Sequence, residues 1–295
     1  MNGTTLAMDI GGTCIKSGLV DASGNVRSLE NTVLPISSTS SATEIITAFS
    51  EPAKNHAGCF DSVAICMPGP LHYPTGFSQM THKFPPLYGK NLETLLKDSC
   101  KTLQKMRISF FHDTCSFLIG EHWKGTVTGC QNCIGITLGT GIGVAAIVNN
   151  RLLVTESGCP SSEVSVWNRP FRNGRVEQFI SSEAIIKQYQ ILSDRKDSTL
   201  TVKQIVDLAR NKNRHALEAL KQYALNLDEV LCEPVIAIQP EAVVFGGQIA
   251  KAMDLLQEHI LFKLIQSNIT ARISTSHLED KASLIGVAKL ANTTP

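Results

Sequence analysis

Leu6-Ala7-Met8-Asp9-Ile10-Gly11-Gly12-Thr13 and Ile136-Thr137-Leu138-Gly139-Thr140-Gly141 decide how this chain folds. In each, a short apolar run meets a glycine turn, and a second apolar run follows, over 15–20 in the first case and 143–148 in the second. Short β-rich runs joined by such turns read as strand-turn-strand units. A third glycine turn, Val243-Val244-Phe245-Gly246-Gly247, sits between a strand and a helix. The repetition predicts an α/β protein of two duplicated halves facing each other across a ligand cleft.

Working outward, turn residues and apolar spacing predict a strand over 26–33 and a helix over 43–54 with Thr43 as N-cap. A buried strand over 63–67 leads into Pro68-Gly69-Pro70, a helix covers 92–103, and a strand over 108–111 ends at His112-Asp113. In the second half a helix is expected over 116–123 and a polar loop over 157–174, a length that is usually functional. Helices follow over 176–193, 202–211 and 215–238, then a strand over 242–245 and helices over 249–264 and 283–291. A small N-terminal α/β domain is expected over 1–115 and a larger C-terminal one over 116–295, with the last helix, about 283–295, packing back on the first.

Composition narrows the function. In 295 residues, 27 Lys+Arg stand against 26 Asp+Glu, which argues against a nucleic-acid or anionic-membrane partner. Hydrophobic content of 43% with 18% charged residues excludes a disordered chain. No apolar run reaches the length of a membrane span, and 1–13 carries no secretory signal, so the expected location is cytoplasmic. Nine irregularly spaced cysteines fit a reducing compartment as small core residues. Cys130 and Cys133 form a lone CxxC, which is weak evidence for zinc.

Adjacent glycines let backbone N–H groups approach an anion closely, so Gly11 and Gly12 with the Thr13 hydroxyl can cradle a phosphate. Asp9 at a strand end can hold a divalent cation that welcomes that phosphate. Gly139, Thr140 and Gly141 make a second such cradle. It is neither a Walker A loop nor a dinucleotide fingerprint, since no Gly-Lys-Ser/Thr follows and it opens no helix. The structural alternative for each is a hairpin that needs glycine. Two cradles, with Gly246-Gly247 before a helix, favour nucleotide binding.

These residues resemble those of ROK-family sugar kinases, in the actin-like ATPase (ribonuclease H-like) superfamily. The likeness runs almost end to end: Asp9 to Asp21 for the first phosphate motif, Pro68-Gly69-Pro70 for the substrate loop, His112-Asp113-Thr114 with Gly120-Glu121, 136–143 for the second phosphate motif, and 243–247 for the adenosine motif. The resemblance implies two actin-like domains, ATP with Mg²⁺ near Asp9, a sugar substrate and a homodimer. Asp113 is then the general base toward a sugar hydroxyl, its pKa raised by partial desolvation. Gly11, Gly12, Thr13, Lys16, Gly139, Thr140, Gly141, Gly246 and Gly247 would bind ATP. Gly69, His82, His112, Asp113, Glu163 and Glu177 would bind the sugar. For Asp113 the structural alternative is a helix N-cap; for Glu163 and Glu177 it is a solvated charge; for Lys16 it is a solvated strand residue.

The chain departs from the family pattern in one segment. Where the family carries GExGH and then CxCGxxGCxE, this sequence has Ser162-Glu163-Val164-Ser165-Val166 and then 168–177. The histidine position is Val166 and the cysteine positions are Asn168, Pro170 and Arg175, which cannot assemble a tetrahedral zinc site, so no structural zinc is expected. The asparagine before the catalytic aspartate is His112, and the substrate-loop asparagine appears as His82 or Lys83. These changes leave the phosphate chemistry and open the choice of sugar to a hexose, an amino sugar or a β-glucoside. They also leave a catalytically weakened sugar-binding regulator as the alternative. A transcriptional repressor of the family is disfavoured, because only eight residues precede Asp9.

Overall fold

A computed structural model describes residues 3–27, 33–194, 197, 199–266 and 271–293; the side chains of 261–266 are not considered. The chain divides into two compact units: 1–128, 152–161 and 280–295 form the first, and 129–151 and 162–279 the second.

The first unit is built on β1 (Thr5–Ile10) and β2 (Cys14–Val20), which pair antiparallel with Ile10 opposite Ile15 and Asp9 opposite Lys16. Two short strands, β3 (Val26–Arg27) and β4 (Val33–Pro35), pair with β2; residues 28–32 of the expected strand lie outside the described residues. Helix α1 (Ala42–Asn55) starts one residue earlier than expected, because Ser41 and not Thr43 caps it: the Ser41 hydroxyl accepts from Glu44 N and the Glu44 carboxylate accepts from Ser41 N. Strand β5 (Ser62–Met67) runs parallel to β1 with Cys66 opposite Asp9. A small hairpin of β6 (Leu71–His72) and β7 (Phe77–Ser78) follows, then α2 (Leu92–Ser99), which stops short of 103 where Cys100 turns extended. Strand β8 (Arg107–His112) runs parallel to β5 and passes directly into α3 (Asp113–Lys124).

The second unit repeats the pattern. Strands β9 (Cys133–Leu138) and β10 (Ile142–Val148) form the antiparallel hairpin, and β11 (Arg151–Leu152) is its edge. The expected loop holds a hairpin of β12 (Pro170–Phe171) and β13 (Gly174–Arg175). Helix α4 (Ser182–Ser193) begins at the Ser181 cap, not at Val176, where only a single 3₁₀ turn forms. Helices α5 (Val202–Arg210) and α6 (Arg214–Ile238) lead to β14 (Ala242–Gly246), parallel to β9. Helix α7 (Met253–Gln266) follows, and then β15 (Arg272–Thr275), parallel to β14 and not foreseen from the sequence.

The chain returns to the first unit as α8 (Lys281–Thr293). One face of the first sheet carries Leu6, Met8, Ile10, Val63, Ile65 and Phe110, packed with Ile45 and Phe49 of α1 and Leu92 and Leu96 of α2. The other carries Ala7, Val20, Ala64 and Cys66 against Leu284, Val287, Ala288 and Ala291 of α8. A boundary at 115/116 would cut α3. That helix stays with the first unit because it crosses α8 at backbone contact: a Cβ on Gly120 would overlap the Ala282 carbonyl, and one on Gly286 the Ser116 carbonyl. Each sheet thus orders an antiparallel hairpin beside two parallel strands, β2-β1-β5-β8 and β10-β9-β14-β15. Among the described residues no helix is long and apolar enough to cross a membrane.

Candidate functional site

In the first unit the carboxyl ends of the parallel strands gather the expected groups, where open α/β sheets bind ligands. Asp9 near the end of β1 faces Cys66 of β5 across the ladder, and Cys66 faces Phe111 of β8, two residues before Asp113. The register therefore brings two carboxylates to one edge. Burial raises the pKa of Asp9 to about 6, and the charge of Asp113 adds to it; the Lys16 charge and the Cys66 thiol work against the rise. Cys66 is more than core filling, since its thiol also meets the Ser116 hydroxyl and its own pKa is driven well up by burial.

Asp113 behaves oppositely to the expectation. Desolvation pushes its pKa up, but the adjacent His112 and the charge of Lys83 outweigh it and hold the carboxyl well below the usual carboxylate range. The Asp113 side chain, 37% exposed, lies with Oδ1 at 2.9 Å from His112 Nδ1. Thr114 N–H is 2.6 Å from Asp113 Oδ1 and 3.2 Å from His112 Nδ1. The shorter contact goes to the carboxylate, which leaves Nδ1 to donate its proton to Asp113. His112, not Asp113, occupies the N-cap position of α3. The His112 ring packs edge-on to Tyr73 at 5.8 Å, and buried Tyr73 donates to the Met67 carbonyl at 2.9 Å.

The remaining residues of this group take distinct places. Gly69 follows β5, joined to Pro70 by a cis bond, with Tyr73 Oη 3.4 Å from where its Cβ would stand. His82 is exposed, and it is the half-buried Lys83 whose charge reaches Asp113. The ammonium of Lys16 is paired with Asp280 at the start of the last helix, 2.7 Å away. Gly11 N–H closes the hairpin onto Cys14 O at 2.9 Å, and Thr13 is exposed. Gly12 has open space where a Cβ would point and no positive φ.

In the second unit Gly139, Thr140 and Gly141 turn β9 into β10, with Gly139 N–H donating to Gly141 O at 3.0 Å. The Gly139 carbonyl accepts from Ser182 N at 2.9 Å and Ser182 Oγ at 2.7 Å, which fastens the hairpin to the first turn of α4. Gly139, like Gly12, has open space at its Cβ position. Gly141 does not, because a Cβ there would overlap the Glu177 carboxylate. Gly246 ends β14, and Gly247, at φ +87°, lies so close to the Leu138 carbonyl that a Cβ would overlap it. The structure thus joins Glu177 to the glycine hairpin, while Glu163 is exposed.

The positions expected to lack zinc ligands are occupied otherwise. Val166 is buried, and Arg175 Nη1 donates to the Asn168 carbonyl at 2.7 Å. Tyr73 and Cys66 were missed as site residues, and Lys83 was offered only as the alternative to His82. All three reach the site by tertiary contact, and the only local sign is the short hairpin signal around Thr75-Gly76.

The sequence pattern of the ROK family matches residues 5–294 of the chain. The chain is 24% identical to the glucokinase of Thermotoga maritima, covering 97% of this chain and 96% of that protein. It is 26% identical to the N-acetylmannosamine kinase of Pasteurella multocida over 84% of this chain and 82% of that one. Its fold matches the ROK family glucokinase of Streptomyces griseus, solved with glucose and AMPPNP, at a TM-score of 0.81 and 20% identity, covering 99% and 100% of the two chains.

Proposed function

The chain belongs to the ROK family, whose sequence pattern matches almost its whole length, and on that premise we propose that it is an ATP-dependent sugar kinase. It transfers the γ-phosphoryl group to a hydroxyl of a hexose, amino sugar or β-glucoside. Relatives named glucokinase and N-acetylmannosamine kinase support the hexose and the amino sugar. The observation that carries the reading is Asp113, ionised and partly open at the end of β8, on the same sheet edge as the first glycine hairpin.

Phosphoryl transfer asks mainly for alignment and charge neutralisation. A carboxylate held ionised by His112 suits alignment: Asp113 accepts the hydrogen bond of the acceptor hydroxyl, points its oxygen at phosphorus and takes the proton as the bond forms. Gly12 and Gly139 leave space that nothing in the chain needs, which fits close approach by phosphate oxygens. The hydroxyls of Thr13 and Thr140 add donors, the backbone of Gly11 and Gly141 lies along the phosphates, and that of Gly246 and Gly247 along the adenosine. Glu163 and Glu177 accept hydrogen bonds from sugar hydroxyls, with Gly69 and the His82–Lys83 loop beside them in role.

Mg²⁺ fits the donor set at Asp9, a half-buried carboxylate whose charge is disfavoured in the free chain and would be relieved by a cation. Bound there with ATP, the ion would neutralise phosphate charge. The segment 162–177 does not fit zinc, because Val166, Pro170 and Arg175 supply no ligand atom. Cytosolic location and a homodimer complete the reading, and sedimentation of the pure protein checks the second.

The test is ADP release measured against glucose, N-acetylmannosamine and β-glucosides, with Asp113→Asn alongside. Sugar-dependent ADP release is expected, with kcat lowered about 10²–10⁴-fold by the substitution. No turnover of any sugar would favour a binding-only regulator. Turnover untouched in Asp113→Asn would reject Asp113 as the base.

A further inference from the structure

The loop 162–178 carries both proposed sugar carboxylates, yet most of it is irregular, interrupted by two two-residue strands and closed by the 3₁₀ turn over 176–178. What holds it is arginine. The Arg169 guanidinium makes four hydrogen bonds: Nε to the Ser165 carbonyl at 2.9 Å, Nη2 to the carbonyls of Ser162 at 2.8 Å and Glu163 at 2.9 Å, and Nη1 to Glu233 of α6 at 2.8 Å. Three of these fall on the turn that presents Glu163, and the fourth anchors that turn to the longest helix of the unit. The Arg169 backbone is fixed too, its N–H on Val166 O at 2.9 Å and its carbonyl accepting from Val176 N at 3.0 Å. Arg172 serves a different purpose, reaching Asn226 at 3.2 Å and Glu229 at 3.1 Å and stacking on Phe171, without touching 162–165.

We propose that Arg169 is a positioning residue for the acceptor site: its forked guanidinium sets the backbone of 162–165 and so aims Glu163 at the sugar. This rests on the reading of Glu163 as a sugar ligand. Only a planar fork reaches three carbonyls and a carboxylate at once, so lysine keeps the charge toward Glu233 and loses the grip on the turn. Losing several charge-assisted hydrogen bonds from one turn frees Glu163 without altering the phosphate cradle.

Arg169→Lys is compared with Arg172→Lys and Glu163→Ala and with the Arg169→Lys/Glu163→Ala double variant, using glucose and N-acetylmannosamine as probes. Arg169→Lys is expected to raise the sugar KM about tenfold or more, with kcat and the ATP KM within about threefold. It should add nothing to Glu163→Ala, and Arg172→Lys should leave the sugar KM near its parent value. Amide exchange should rise at 162–166 in Arg169→Lys and stay unchanged in the β9–β10 hairpin. Should neither sugar be turned over, the same cycle is read as sugar Kd by calorimetry. An unchanged sugar KM, an effect that persists in full on the Glu163→Ala background, or unchanged exchange at 162–166 overturns the proposal. Glu163→Ala without effect on the sugar KM removes the reading it rests on, whereas a silent Arg169→Lys beside an impaired Glu163→Ala removes the clamp alone.

Discussion

Gly12 and Gly247 look alike in sequence and do different things. Gly247 sits at φ +87° against the Leu138 carbonyl, so its missing side chain is demanded by the fold. Gly12 and Gly139 have open space and ordinary φ, so the fold does not demand theirs. Gly247→Ala is therefore expected to cost about 2–3 kcal/mol in urea unfolding, from left-handed strain and backbone overlap. Gly12→Ala and Gly139→Ala should unfold like the parent and raise the ATP KM about tenfold or more, because the added Cβ fills space that a phosphate oxygen would take and lengthens its hydrogen bonds. Lost stability at Gly12 with unchanged ATP affinity would assign that glycine to the hairpin. Asp9 makes a separate prediction. Its folded pKa of about 6 lies above its ordinary value of 3.8, so between these pH values the folded chain binds more protons than the unfolded one. Its contribution is thus lost as pH rises through that window. In metal-free buffer Asp9→Asn should flatten the fall in thermal stability from pH 4 to 6 and leave the variant more stable than the parent at pH 8. A parent whose stability rises through that window with the same slope as the variant would show that Asp9 carries no such penalty.

Elements were legible where the side-chain period matched one structure and hidden where short-range bonds built it. The two glycine hairpins, β5, β8 and β14 announce themselves as apolar runs that end at turn residues, and the chain forms them there. The period failed at 176–180, where Val176, Phe179 and Ile180 continue a helical pattern through a 3₁₀ turn; Ser181, bonding Ala184 N, decides where α4 starts. It failed again at Thr43, because Ser41 and Glu44 satisfy each other's backbone donors and Thr43 has no such partner there. The β12–β13 hairpin had no signal to read: two residues per strand cannot show alternation, and the bonds of Arg169, Arg172 and Arg175 that surround it are set by tertiary structure. The site divides the same way. Asp9 and Asp113 were readable as strand-end carboxylates. The depressed pKa of Asp113 was not, because it depends on His112 turning its Nδ1 back and on Lys83 arriving from a loop.

At the scale of the molecule the chain crosses between its two units four times, at 128/129, 151/152, 161/162 and 279/280, so the first unit depends on three separate segments. The last of them is α8, which buries Ala282, Leu284, Ile285, Val287, Ala288 and Ala291. It covers the sheet face made by Ala7, Val20, Ala64 and Cys66, meets α3 at Gly120 and Gly286, and follows the Asp280 that pairs with Lys16. Among the described residues α8 supplies the helical side of that core, α3 meeting it at Cys66 through Ser116, whereas the helices of the second unit all lie within 162–279. A chain ended after Glu279 therefore loses a layer of one unit and none of the other. Exposing that apolar face and the backbone crossing with α3 removes more than a marginally stable domain can spare. Hydrogen exchange should then show β1, β2 and β5 without protection while β9, β10 and β14 keep theirs, with ADP release abolished. Protection retained in β1 and β5 would mean that α8 is an accessory. Loss spread equally over both units would mean that they do not hold their folds separately.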